Sequence, residues 1–154
     1  VWHSFGSPCL SAFHPIYVAA GQAVGDLARG EGAFDPTSPW WRNERIQRRV
    51  GAYPNLEPTV RAVWQDFERK AFAEVDAAEE RAQRLEPADR PAELRLVGEK
   101  LSAELLATMA NLDDRTATRV ETSESLPAGE LAQWSTLNDP VGLPLGEAVP
   151  ARVS

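Results

Sequence analysis

The sequence predicts an α+β chain, in which an N-terminal strand pair is followed by a short helix, a long antiparallel helical hairpin and an irregular C-terminal tail. Residues 1–6 alternate between two faces, as the residues of a strand do. Apolar residues recur at spacings of three and four over 58–85 and 90–115, which is typical of amphipathic helices. This periodicity ends near residue 120. We therefore interpret residues 1–120 as a single α+β unit and residues 121–154 as an extended docking tail.

Two short strands are expected within residues 1–20. "VWHSFG" alternates weakly, and residues 9–20, "CLSAFHPIYVAA", are rich in aromatic and β-branched types. The Gly-Ser-Pro run between them predicts a tight turn. Pro15 cannot donate to a sheet ladder, so we expect it at an edge or a bulge. Residues 21–37 contain four glycines and are typical of a loop, and their spacing matches neither a P-loop nor a dinucleotide-binding fingerprint.

A short helix is predicted over residues 38–51. Ser38 is a suitable cap, and Pro39 suits the first helical position, where its missing N–H costs nothing. The basic run "RNERIQRR", residues 42–49, is expected to be a solvated helix face, with an anion site as the less favoured alternative. The "GAYPN" run then ends the helix.

Two long helices, over 58–85 and 90–115, give the strongest signal. The apolar stripe of the first comprises Val60, Val63, Trp64, Phe67, Ala71, Val75, Ala78, Ala82 and Leu85. The stripe of the second comprises Leu94, Val97, Leu101, Leu105, Met109 and Leu112. Because a short Pro-containing turn separates the two helices, we expect them to pack antiparallel as a hairpin.

Beyond residue 120 the chain is rich in proline and glycine and has no clear period. It still carries apolar residues, which a fully disordered segment tends to lack. The residues expected to dock this tail on the body are Trp134, Leu137, Val141, Leu143 and Leu145.

Composition excludes several classes of function. A net charge of −7 disfavours binding to nucleic acid, because an acidic chain repels phosphates. No apolar run is long enough to span a membrane, and a single cysteine excludes an internal disulfide and a cysteine-rich zinc site. No cofactor is expected. The chain starts on Val1, within a strand-like pattern, so we expect a processed subunit or a fragment of a longer chain; the compartment stays open, with the cytoplasm slightly favoured.

Residues 3–21 hold the cysteine and both histidines, which raises the question of catalysis. Cys9 with a histidine base is one possibility, but Cys9 and His14 are five positions apart and would point to opposite faces of a strand. A buried structural cysteine is therefore favoured. The histidines lack metal-binding spacing, and no Gly-x-Ser-x-Gly elbow surrounds the serines. No catalytic residue and no metal ligand is assigned.

"VWHSFGSPCLSAFHPIYV", followed by "SPWWRNERIQRRV", resembles the later part of the C69-type dipeptidases and secernins, which are N-terminal-nucleophile hydrolases. The resemblance covers residues 1 to about 85 in order, and more loosely the helix to 115. It implies an αββα sandwich and an N-terminal cysteine whose own α-amino group acts as the base when the thiol attacks an amide. This chain departs from that pattern, because it begins with Val1 and because Cys9 lies within the later strand motif.

The resemblance implies the C-terminal portion or subunit of an amide- or peptide-bond hydrolase, dipeptidase- or acylase-like, that is inactive by itself. It would supply structural elements and a pocket wall. From their position near a strand end, we take His3, Ser4, Ser7 and Cys9 as candidate substrate-binding residues. The expected partners are an upstream polypeptide of the same precursor or a second copy, and a small peptide or acyl-amino acid once assembled. The alternative is a helical interaction module that self-associates or binds a partner helix.

Overall fold

The computed structural model describes residues 2–4, 10–17 and 39–120, which are mostly helical. The elements are β1 (Trp2–Ser4), β2 (Phe13–Pro15), α1 (Pro39–Ala52), a 3₁₀ turn (Pro54–Leu56), α2 (Glu57–Gln83) and α3 (Arg90–Val120). The three predicted helices are confirmed, and α3 continues five residues past its predicted end at 115. Within these ranges, no helix combines the length and apolar character that spanning a membrane requires.

Helices α2 and α3 form the predicted antiparallel hairpin. Near its turn, Arg81 Nε donates to Glu93 Oε1 over 2.7 Å. At the opposite end, Arg119 Nη1 donates to Thr59 Oγ1, also over 2.7 Å. Contacts between the start of one helix and the end of the other fix the antiparallel direction.

The core lies between these helices and is an apolar layer. It forms because side chains at spacings of three and four share one helix face, which is removed from water when the two faces meet. Its fully buried members include Val60, Trp64, Ala71, Leu101, Leu105, Met109 and Leu112. The inclusion of Leu85 in the stripe was wrong, since α2 ends at Gln83 and the Leu85 side chain in the following turn is 38% exposed.

Helix α1 packs against the C-terminal half of α3 and buries polar and charged side chains as well as apolar ones. It starts at Pro39, as predicted, and inserts Trp41 and Ile46 into the interior. The interpretation of "RNERIQRR" as a solvated face was wrong, because Arg48 and Arg49 are 5% and 6% exposed. A run of basic residues can form either a solvated helix face or a buried ionic contact. The sequence of the run does not tell the two apart, because the carboxylate that pairs with it is distant in sequence.

Strands β1 and β2 pair antiparallel, with His3 opposite His14 and Trp2 opposite Pro15. The expected strand pair is present, but each strand has three residues. Pro15 ends β2, as its missing N–H favours. The expected Gly-Ser-Pro turn between the strands lies outside the described residues. The predicted loop over 21–37 and the tail over 121–154 lie outside the described residues, and the sheet within the described ranges is limited to this pair.

Candidate functional site

The strand pair is attached to one face of α2. Trp64 Nε1 donates to the Leu10 carbonyl over 2.8 Å. One turn further along α2, Glu68 Oε1 accepts the backbone N–H of Phe13 at 2.9 Å. On the next turn of α2, Phe72 packs on Trp2 with ring centroids 4.3 Å apart. Residues at a spacing of four lie above one another on a helix, so Trp64, Glu68 and Phe72 form a single docking stripe for the strand pair.

Of the four candidate substrate-binding residues, Ser4 is the one whose side chain the structure describes. Its Oγ lies 2.5 Å from Ser11 Oγ, and either hydroxyl can be the donor of this hydrogen bond. Ser11 is buried and Ser4 is half-buried. The backbone of His3 pairs with His14, whereas the His3 side chain, Ser7 and Cys9 lie outside the described residues. The sequence did not single out the pairing of Ser4 with Ser11, because it depends on the register of the strands.

Within residues 10–17, His14 and Tyr17 occupy different environments. His14 is fully buried, which agrees with the structural role favoured for it. The Tyr17 hydroxyl donates to Glu79 Oε1 on α2 over 3.5 Å. Burial, followed by the negative charges of Glu79 and Asp76, raises the pKa of Tyr17 to about 12. Tyr17 therefore stays protonated at physiological pH and acts as a hydrogen-bond donor.

A buried ionic cluster, formed by Arg45, Arg49, Asp113 and Thr116, joins α1 to α3. Arg45 holds both oxygens of Asp113, with Nε at 2.9 Å from Oδ1 and Nη2 on Oδ2. Arg49 Nη1 donates to Asp113 Oδ1 at 2.6 Å, to the Asp113 carbonyl at 2.7 Å and to Thr116 Oγ1 at 3.0 Å. One carboxylate thus binds two guanidinium groups.

Within the cluster Arg49 and Asp113 are buried, whereas Arg45 is partly exposed. Burial lowers the pKa of Arg49, and Arg45 lowers it further, while Asp113 opposes both effects. Arg45 and Arg49 lie four apart on α1, and Asp113 and Thr116 lie three apart on α3, so each pair shares one helix face. Those spacings were visible in the sequence, but the pairing of the two helices was not. The geometry indicates a structural joint, because the donors are directed at groups of the protein itself.

A groove of about 800 Å³ runs between α2 and α3 on the surface of the hairpin. Apolar and small side chains line much of it, including Val63, Phe67 and Ala107. Charged side chains stand along its margins; these are Asp66, Lys70, Glu104, Arg115 and Arg119. The sequence predicted the hairpin but not this depression between its helices.

No group of three or more histidine, cysteine, aspartate or glutamate side chains in residues 2–4, 10–17 and 39–120 is arranged to hold a metal ion. The binding chemistry that the described site offers is hydrogen bonding by hydroxyls together with aromatic contact. No protein-family model, curated protein or solved structure matches the chain.

Proposed function

We propose that the chain is the C-terminal portion of an amide- or peptide-bond hydrolase of the dipeptidase or acylase type, in which the strand pair is a wall of the substrate pocket. The nucleophile belongs to another segment, upstream in the same precursor. The resemblance of residues 1–85 suggests this class of reaction. The observation that carries the proposal is that the strand pair is fixed on α2 at three successive turns, with the hydroxyl pair of Ser4 and Ser11 at the end of β1.

The hydroxyl pair suits a binding role. A pocket wall in such an enzyme must hold a substrate carbonyl or carboxylate in one orientation relative to the nucleophile. A serine hydroxyl has one hydrogen to donate and two lone pairs. When Ser11 donates to Ser4, the hydrogen of Ser4 is left to bind a substrate oxygen. Because Ser11 is buried, it holds the Ser4 oxygen in place.

The edges of the strand pair suit an incomplete sheet. The N–H of Phe13 is directed to Glu68 rather than to β1, so the outer edge of β2 faces α2. Among the described residues, β1 pairs with β2 alone. Two strands of three residues have little stability of their own, and an open edge is a template for another strand. These features support a sheet that an upstream strand extends at β1, as the αββα sandwich of the resembled family requires.

The proposal is tested by purifying, from its source, the protein that contains this chain. The intact mass and N-terminal residue of each co-purifying polypeptide are measured, and dipeptides and N-acyl amino acids are assayed as substrates. We expect a segment that begins with cysteine and measurable amide hydrolysis. The chain of residues 1–154 alone should give no turnover. Turnover by that chain alone that survives Cys9→Ala and is lost in His3→Ala would contradict the proposal.

A second candidate, which requires the groove between α2 and α3 to be open to another chain, is a helical interaction module that self-associates or binds a partner helix. The volume of the groove and its lining of Val63, Phe67 and Ala107 are of the kind that accepts apolar side chains. Light scattering separates the two candidates. Self-association of the purified chain, with no co-purifying upstream polypeptide, supports the interaction module, whereas tight binding of such a polypeptide supports the hydrolase.

A further inference from the structure

We propose that the groove between α2 and α3 is the docking site of the chain's own C-terminal segment, residues 121–137, which turns back after α3 and lies along the groove. This proposal does not depend on the hydrolase proposal. Four features support it: the position of the groove on α2, its shape and apolar lining, its distance from the end of α3, and the charges at its margins.

The groove and the strand pair are on opposite sides of α2. Residues two positions apart on a helix point about 200° apart. Ala62 lines the groove while Trp64 binds Leu10, and Lys70 lines the groove while Phe72 packs on Trp2. A segment in the groove therefore leaves the candidate substrate-binding site open.

The shape of the groove suits an extended segment. Its floor includes Phe67, which is 6% exposed, and the partly buried Val63. On its sides, the exposed Ala62 and Ala107 leave room for larger side chains of an incoming chain. A volume of about 800 Å³ falls in the range of clefts that bind ligands. The C-terminal segment supplies apolar side chains to fill it, namely Leu126, Leu131, Trp134 and Leu137.

The segment starts at the groove and is long enough to follow it. Arg119, one residue before the end of α3, lines the groove and donates to Thr59 across it. From Arg119 back to Glu104, α3 covers about 22 Å at the usual helical rise. An extended chain advances roughly 3.3 Å per residue, so about seven residues cover this length. Residues 121–137 therefore suffice for a reversing turn and the whole groove.

Charge also favours this occupant. The end of the groove nearest the segment carries Arg115 and Arg119, and the segment opens with Glu121 and Glu124. Over residues 121–154 the chain has five acidic residues and one basic residue. At the far end, Lys70 is paired with Asp66 at 2.6 Å, and Glu104 lies 3.8 Å from Lys100. The basic end therefore faces the acidic start of the segment.

Hydrogen exchange of the full chain tests the proposal. In the parent protein we expect amides within 121–137 to exchange at least about tenfold more slowly than in an unstructured chain. Ala107→Glu places a bulky charge in the groove and should remove most of this protection. Ala103→Glu is the matched control, since Ala103 is exposed on the same helix and does not line the groove. Ala62→Glu tests the same groove from α2, and circular dichroism confirms that each variant is folded.

Each outcome is decisive. Protection of 121–137 that is lost in Ala107→Glu or Ala62→Glu and kept in Ala103→Glu supports the proposal. Exchange of these amides at the unstructured rate in the parent would overturn it, as would protection that both groove variants leave unchanged. Protection that rises with protein concentration, together with a dimer in light scattering, would assign the groove to a second copy and overturn the proposal as well. None of these results changes the expectation for amide hydrolysis, so the two proposals fail separately.

Discussion

Helix α3 contacts its two neighbouring helices through different chemistry. Against α2 it presents an apolar layer that includes Leu105, and the ion pairs of this interface, such as Lys100 with Glu74, are at the surface. Against α1 it presents Asp113, whose side chain is 4% exposed and binds two arginines. An apolar interface distributes its stability over many side chains, whereas the contact with α1 adds to its apolar residues one buried carboxylate that pairs with two arginines.

Removing that carboxylate should have the largest effect. Asp113→Ala leaves Arg49 buried without its counter-charge, and the loss of one partner of a buried ion pair typically costs about 3–5 kcal/mol. We expect a loss of this size in the free energy of unfolding, measured with urea. Asp114→Ala is the matched control, because Asp114 is the exposed neighbour, and it should change stability little. If both variants lowered the free energy of unfolding by the same amount, the buried ion pairs of Asp113 would contribute no more stability than an exposed carboxylate does.

The apolar layer should respond to truncation. Leu105 is fully buried, and Leu105→Ala should cost about 2–5 kcal/mol, since it removes buried methyl groups and leaves a cavity. Leu106→Ala is the matched control, because Leu106 is 36% exposed. Thermal unfolding of both variants checks the prediction. A Leu106 effect as large as that of Leu105 would contradict the placement of the core.

The two interfaces also differ in how far the sequence predicts them. The apolar layer follows from spacings of three and four, which is why the stripe that holds Leu101, Leu105 and Met109 could be predicted. The ionic joint could not, because the partner of Arg49 lies 64 residues away and like-charged runs occur on solvated faces as well. At the candidate site, Ser4 was identified from its position near a strand end. Its contact with Ser11 could not be predicted, because it depends on the register in which β1 pairs with β2.

The contact between Tyr17, which follows β2, and Glu79 on α2 makes the free energy of unfolding depend on pH. The pKa of Tyr17 is raised from 10.0 to about 12 by burial and by Glu79. The folded state therefore holds this proton more tightly than the unfolded state, so the stabilisation is complete below pH 10 and is lost as the pH rises through about 12. Urea unfolding of the parent and of Tyr17→Phe should give a stability difference that falls across this window. A difference independent of pH would contradict the contact.

The smallest effect is expected at the surface of the hairpin. Lys100 Nζ lies 2.8 Å from Glu74 Oε1, with both side chains substantially exposed. Lys100→Ala should shift the unfolding midpoint slightly at low salt and not at all in concentrated salt, because solvent and ions screen such pairs. The effect of Asp113→Ala should persist in the same salt. A salt-resistant effect at Lys100, measured by urea unfolding, would remove the distinction between the two interfaces.

The claim that the strand pair is a pocket wall is tested most directly by steady-state kinetics of Ser4→Ala in the native-length protein. Thr118→Ala is the control, since it removes an exposed hydroxyl near the end of α3. We predict that Ser4→Ala raises KM for dipeptide or N-acyl amino acid substrates severalfold and leaves kcat nearly unchanged, while the control alters neither. Loss of kcat with KM unchanged, or kinetics identical to those of the control, would contradict a substrate-binding role for this strand pair.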